Sequence, residues 1–285
     1  MHSMQTNALN DQQVHAIRNL QQICFQHEGL ENEPFLSSEM NSDPSLPCFF
    51  LHYEEEMLVG FLSAFFPTAD EVEVNGFVHP AYRKRGIFSS LVTEARKAYS
   101  TLSFHQMLFQ VESSCESGKV YVRARYTHID RSEYRLTLSK SRWRERSPVI
   151  PSFGSLVEAT GEYHQLFIHT ATSLLKEDSD FVQRMLDNPE RKGYLYLYEK
   201  KPIGVLQKCK ENDNLTMIYG VAIGETFRGQ GHGKAMLGLA LDMFFLSCEY
   251  LSLEVDSQNP KAFGLYCALG FEIDFQIDYH SLILS

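Results

Sequence analysis

Six consecutive residues, Arg228-Gly229-Gln230-Gly231-His232-Gly233, combine what is needed to hold a diphosphate. They stand where an apolar alternation gives way to a helical stripe. The first turn of a helix leaves backbone N–H groups without partners and carries partial positive charge, so an anion docks there if no side chain obstructs it. Glycine at 229, 231 and 233 removes the obstruction, Arg228 supplies a permanent cation, and Lys234 follows. A plain glycine-rich turn has the same composition. Repetition shifts the balance toward a ligand: Val74 to Ser89, VNGFVHPAYRKRGIFS, superimposes without a gap on Tyr219 to Lys234, YGVAIGETFRGQGHGK. Arg83 falls on Arg228 and Gly86 on Gly231, an offset of 145 residues in a chain of 285. A repeat of that period indicates two homologous domains.

The turn resembles the Q/R-x-x-G-x-G/A coenzyme A signature of the GNAT superfamily of N-acetyltransferases. It matches neither a dinucleotide fingerprint, which needs G-x-G-x-x-G, nor a P-loop, which needs Gly-Lys-Ser/Thr. A second stretch, Asn259-x-x-Ala262-x-x-Leu265-Tyr266-x-x-x-Gly270-Phe271, resembles the family's other motif, with Leu253-Glu254-Val255 ahead of it. The resemblance implies acetyl-CoA as co-substrate, bound by Arg228, Gly229, Gln230, Gly231, His232, Gly233, Lys234 and Asn259. It also implies that the backbone of Val221, Ala222 and Ile223 pairs with the pantetheine arm.

N-acylation needs an ammonium to lose a proton before nitrogen attacks a thioester, and a nearby carboxylate accepts it. Glu254 is the candidate. Leu251, Leu253 and Val255 alternate with Ser252, Glu254 and Asp256, so a solvated strand face is the competing reading. Tyr266 is the candidate donor to the coenzyme A thiolate as the tetrahedral intermediate collapses. A core aromatic is its competing reading. The oxyanion falls to a backbone N–H near Ile223.

The first copy keeps Arg83, Lys84, Arg85 and Gly86, and a helix whose stripe is expected to be Phe88, Leu91, Val92, Ala95 and Tyr99. Phe77, Val78, Arg83, Lys84, Arg85, Gly86, Ile87, Phe88 and Ser89 form a possible second coenzyme site. It is the poorer one, because Lys84 replaces Gly229 and Phe88 replaces Gly233. Gln110 stands opposite Glu254 and cannot act as a base at neutral pH. Glu71, Glu73 and Glu112 are substitutes nearby, and Tyr121 is the counterpart of Tyr266. A silent copy, kept for packing or for a second coenzyme, is the expectation.

These residues need a framework. In the second half, 162–175 and 178–186 read as helices, 194–198 and 203–208 as a hairpin turning at Lys200, Lys201 and Pro202, and 215–223 as a strand entering the turn. Leu237, Ala240, Leu241 and Phe244 form a buried helical stripe. A strand over 250–255, a helix over 260–269 and a closing strand over 275–283 follow. The expected fold is α/β (α+β): two tandem domains, each a mixed, mostly antiparallel twisted sheet flanked by helices. The expected bounds are 1–140 for the first, 141–153 for a basic, proline-bearing linker and 154–285 for the second.

Composition bounds the function. Hydrophobic residues at 44% and charged residues at 22% are ordinary for a folded domain. No apolar run reaches the length of a membrane span and no basic-then-apolar leader opens the chain, so a cytoplasmic protein is expected. Six cysteines without a CxxC pair or zinc spacing suit reduced thiols and imply no metal. A net charge of -10 disfavours nucleic acid and favours cationic partners. Within these bounds, the resemblance implies an acyl-CoA-dependent N-acyltransferase acting on a small-molecule amine or a protein N-terminal amine, as a monomer or homodimer. A non-catalytic acetyl-CoA sensor or interaction module is the alternative.

Overall fold

A computed structural model of the chain describes residues 2–68, 70–100, 102, 104–125 and 128–284. In chain order the elements are β1 (His2–Thr6), α1 (Asp11–Glu28), β2 (Phe49–Glu54), β3 (Met57–Phe65), β4 (Glu71–Val78), α2 (Ile87–Tyr99), β5 (Gln106–Glu112), α3 (Glu116–Arg123) and β6 (Ile129–Ser139). Then come α4 (Lys140–Arg146), β7 (Ser155–Glu158), α5 (Tyr163–Leu175), α6 (Ser179–Asp187), β8 (Arg191–Tyr198), β9 (Lys201–Lys210), β10 (Leu215–Ile223), α7 (His232–Phe244), β11 (Tyr250–Asp256), α8 (Pro260–Leu269) and β12 (Glu272–Ile283). They form two compact units, the first running to Ser132 and resuming at Gln276, the second spanning Glu133–Phe275.

Each unit is a mixed sheet with one parallel pair. In the first, β1, β2, β3 and β4 are antiparallel neighbours, β4 and β5 run parallel, and β12 closes antiparallel to β5. In the second, β7, β8, β9 and β10 are antiparallel, β10 and β11 run parallel, and β6 closes antiparallel to β11. The strand after α3 thus completes the second unit, and the strand after α8 completes the first. Unit boundaries accordingly lie inside β6 and β12, at 132/133 and 275/276, rather than at the expected 140 and 153.

Helices cover both faces of each sheet. Seven successive residues of β3, Leu58 to Ala64, are buried, which a strand achieves only when both sides are covered. In β8, Tyr194 and Tyr196 face the core that holds Leu237, Leu241 and Phe244 of α7, whereas Leu195 faces Phe167 and Ala171 of α5. The α7 stripe is buried as expected. The α2 stripe differs in one member: Ile87 is buried with Leu91, Val92, Ala95 and Tyr99, while Phe88 is only partly buried. The hairpin turns at Glu199 and Lys200, both with positive φ (48° and 64°), one residue earlier than expected.

Much of the expected linker is structure. Lys140–Arg146 is helical, Ser139 caps it by accepting from Arg142 N–H at 3.2 Å, and Trp143 is buried. The indole N–H donates to Asp242 of α7 at 2.8 Å, giving that lone acid in an apolar run its partner. Ile150 lies against Gly238, where an added Cβ would come within 2.5 Å of it.

Trp143 is the only tryptophan, so its emission reports on the second unit. Trp143→Ala is expected to destabilise that unit by about 3–5 kcal/mol, as for other buried large-to-small changes. Thermal unfolding by circular dichroism checks this, and an unchanged Tm would mean residues 141–153 are a passive connector.

Candidate active site

The two phosphate turns share one backbone. Arg228 Nε donates to the Ile223 carbonyl at 2.9 Å, and Arg83 Nε donates to Val78 at 3.0 Å, the same five-residue reach back to the preceding strand. Both helices start from a glycine in the left-handed region, Gly86 at φ 81° and Gly231 at φ 87°. Gly229 has φ 74°; Lys84 in its place holds φ 62°, a conformation that strains a side chain. The duplicated sequence therefore encodes a duplicated turn, with strain in the first copy.

Their surroundings differ. Nothing lies within 4 Å of a Cβ added at Gly86, whereas at Gly231 the Phe153 ring is 3.2 Å away. The His232 ring is buried among Phe153, Tyr196, Tyr198 and Phe227, which leaves its backbone N–H as the part at the helix start. Gln230 Nε2 donates to Thr226 O at 2.7 Å. Asn259 caps α8 by accepting from Ala262 N–H at 3.2 Å. A Cβ added at Gly233 would lie 3.2 Å from Leu265, so the glycine permits that close packing, and Lys234 is partly buried.

In both units the parallel ladder is short. β10 pairs with β11 only from Leu215/Tyr250 to Ile218/Leu253, and β4 with β5 only from Glu71/Gln106 to Val74/Phe109. Beyond those points the strands part, and backbone groups facing the gap lack ladder partners. A bulge distinguishes the second unit: the β9–β10 register shifts between Tyr219 and Ala222, with Gly220 at φ 56°. The extra residue disrupts the ladder locally and bends the strand, at the stretch Val221, Ala222 and Ile223.

Glu254 is the first residue of β11 past the paired stretch, and Tyr266 stands on α8. Leu253 and Val255 point into the core beneath α7 and α8, so Glu254 points to the α5 face, with Tyr219 beside it on β10. Its carboxylate makes no hydrogen bond or ion pair among the described residues. It is solvent-accessible yet set in a recess, and burial first, then the neighbouring Glu133, raise it above the usual carboxylate range; Arg135 opposes and Glu211 adds. Tyr266 belongs to the α7–α8 core, where burial pushes its phenol up to about 12. Its hydroxyl likewise has no partner among the described residues.

The first unit encloses a cavity of about 610 Å³ at the parting of β4 and β5, bordered by all the possible second-site residues except Arg85. Gln110 and Glu112, on its wall, are both engaged. Gln110 Oε1 accepts from Asn32 and Asn75 at 3.1 and 3.4 Å, and its Nε2 donates to Glu73 at 2.9 Å. Arg131 pairs with Glu73 at 2.6 Å and with Glu71 at 3.0 Å. Glu112 accepts from the Asn32 N–H at 2.7 Å, the Glu31 N–H at 3.0 Å and Ser114 Oγ at 3.3 Å. All three carboxylates weighed as substitute bases are thus engaged. Tyr121 packs edge-on to Phe88 at 4.8 Å, beneath the Arg125 guanidinium.

Sequence reading did not identify Glu28, Asn32, Asn75 or Arg131. They converge from separate elements, and no local spacing marks them. Glu28, at the end of α1, accepts from the Ser117 N–H and Oγ at 2.9 and 3.0 Å and pairs with Arg83 at 2.7 Å. Among the described residues no group of His, Cys, Asp and Glu is placed to hold a metal, and no helix is long and apolar enough to cross a membrane.

The model of the acetyltransferase (GNAT) family matches residues 14–123 and again 159–271. No curated protein sequence matches the chain. Among solved structures, a GCN5-related N-acetyltransferase from Sphaerobacter thermophilus has a TM-score of 0.73 at 15% identity, over 99% of this chain and 96% of that one. A tandem GNAT protein from the clavulanic acid biosynthesis pathway has 0.70 at 17% identity, over 100% and 98%. An acetyltransferase from the GNAT family of Colwellia psychrerythraea has 0.65 at 11% identity, over 99% and 100%. At such identities the likeness concerns the fold.

Burial alone would raise the Glu28 carboxyl, but the Ser117 bonds and Arg83 outweigh it and hold it below its ordinary value. A carboxyl depressed by folding contributes stability that is present above its unfolded pKa and lost as pH falls through the folded one. Glu28→Gln is therefore expected to lower the Tm at neutral pH, with the difference from wild type narrowing under acid. A difference independent of pH would contradict the role given to this carboxylate.

Proposed function

The chain belongs to the acetyltransferase (GNAT) family, and we propose that its second unit transfers an acetyl group from acetyl-CoA to a primary amine by direct attack. The observation that carries this reading is Glu254: an unpaired carboxylate, raised above its ordinary value, one residue past the last pair of the parting β10–β11 ladder, with an unpartnered tyrosine hydroxyl on α8. The diphosphate sits on the backbone N–H groups of Gly229 to Gly233 with Arg228 nearby, and the pantetheine arm pairs with Val221 to Ile223.

The acceptor approaches from the α5 face as an ammonium, and Glu254 takes one proton. The freed nitrogen pair attacks the thioester carbon, and the oxyanion rests on a backbone N–H near Ile223. As the carbon–sulfur bond breaks, Tyr266 gives its proton to the departing thiolate. The second nitrogen proton, lost as the amide forms, restores the phenol through solvent; the amide and free coenzyme A leave, and Glu254 releases its own proton to bulk water. Donor-dependent catalysis of this kind needs no covalent enzyme intermediate, so the cysteines have no part.

For the first unit a second reading is favoured by the engaged Gln110 and Glu112 on the cavity wall: this unit binds coenzyme A without transferring the acyl group. Gln110 cannot accept the proton, and Glu73 and Glu112 already hold donors. Lys84 and Phe88 in place of the glycines make its diphosphate site the weaker of the two.

Release of free thiol from acetyl-CoA with a panel of primary amines tests the reading. Turnover is expected to rise with pH as Glu254 deprotonates. Glu254→Gln is expected to lose roughly 10²-fold or more at neutral pH, the usual scale for a lost general base. An unaltered pH profile in that variant would remove Glu254 from the mechanism.

Tyr266→Phe keeps the ring and its packing against Phe271. An interaction made only in the transition state affects kcat and kcat/KM together. The expected result is a fall of roughly one to three orders of magnitude in kcat with KM for acetyl-CoA little changed. Wild-type kcat in a folded variant would make Tyr266 a core aromatic only.

A further inference from the structure

Glu254 lies directly across from Arg135 in the antiparallel β6–β11 register. Opposite charges facing each other on neighbouring strands ordinarily pair, since their Cβ atoms are about 5 Å apart. Here they do not. The Arg135 Nε donates instead to both oxygens of Asp274, at 3.2 and 3.3 Å, and the guanidinium lies 5.0 Å above the Phe275 ring. Asp274 is itself fixed, because Thr137 Oγ donates to it at 2.9 Å. Thr137 and Arg135 are alternate residues of β6 and so share its face, with Ser252 and Glu254 as their β11 partners.

The consequence for a base is direct. A cation within about 4–6 Å lowers a carboxyl by one to three pH units and would leave it a poor proton acceptor near neutrality. We propose that Asp274 is a positioning residue: by holding the Arg135 guanidinium it keeps that cation from pairing with Glu254 and leaves the carboxylate able to take a proton from the acceptor amine. This rests on the reading of Glu254 as the base. The other groups that face Glu254 are Glu133 on β6, Asp256 on its own strand, Glu211 between β9 and β10, and Tyr219 on β10. Tyr219 in turn donates to Glu211 at 3.4 Å and carries Arg191 over its ring at 4.5 Å, so that second guanidinium is also stationed away from the carboxylate. Two cations border the site, and each is held by a group other than Glu254.

The test is a carboxyl titration of the full chain with carbon-13-labelled glutamate, the Glu254 signal being assigned as the one lost in Glu254→Gln. In Asp274→Asn the Glu254 midpoint is expected to fall by about one pH unit as Arg135 loses the carboxylate that draws it away from Glu254. Asp274→Glu is expected to keep the wild-type midpoint, and Arg135→Met to abolish the response to Asp274→Asn. Thr137→Val, which only loosens Asp274, is expected to give a smaller fall and serves where Asp274→Asn does not fold. A wild-type or raised midpoint in the folded Asp274 or Thr137 variant overturns the proposal. Full turnover in Glu254→Gln would instead overturn the role of the base itself, which this titration does not presuppose.

Discussion

Two parallel strands that are hydrogen-bonded for four residues and then part, β10 from β11, are the constraint on which the rest of the second unit depends. Parted strands leave N–H and C=O groups that a folded interior must pair with something. The bulge at Gly220 adds to that demand just where the gap opens. The turn after β10 places helix-start N–H groups at the mouth of the gap, and Arg228 ties it back to Ile223. Glu254 follows the last paired residue of β11 on the face away from Leu253 and Val255, and Tyr266 joins those two in the core beneath α7 and α8.

Duplication shows which parts of the frame the two units share. The first unit repeats the turn, the arginine tether and the parted ladder, and it encloses a cavity of about 610 Å³. At the strand position of Glu254 it has Gln110, an amide that accepts from two asparagines and donates to Glu73, while Arg131 pairs with Glu71 and Glu73 and Glu112 accepts from backbone N–H groups. Both units thus keep the gap and the helix start, and the second adds Glu254, whose carboxylate makes no hydrogen bond or ion pair among the described residues.

Much of this was legible in residues read singly. The helix stripe of Leu237, Ala240, Leu241 and Phe244, the strand-turn-helix junction at Arg228 and the outward direction of Glu254 all follow from local periodicity. The exchange of β6 and β12 does not, because each follows a helix of similar position in its repeat and nothing in its alternation says which sheet edge it joins. Trp143 was hidden within a basic, proline-flanked stretch whose composition resembles a connector; its pairing with Asp242 is a contact across 99 residues. Asp274 and Arg135 are likewise 139 residues apart, and ordinary surface charges by type.

Thiol release from acetyl-CoA with primary amines, compared in Gly231→Trp and Gly86→Trp, tests most directly whether chemistry belongs to the second unit. Each tryptophan fills the helix-start cradle of one turn and leaves the other turn intact. Turnover is expected to vanish in Gly231→Trp and to persist in Gly86→Trp. Loss of turnover in Gly86→Trp with retention in Gly231→Trp would contradict the account and move catalysis to the first unit.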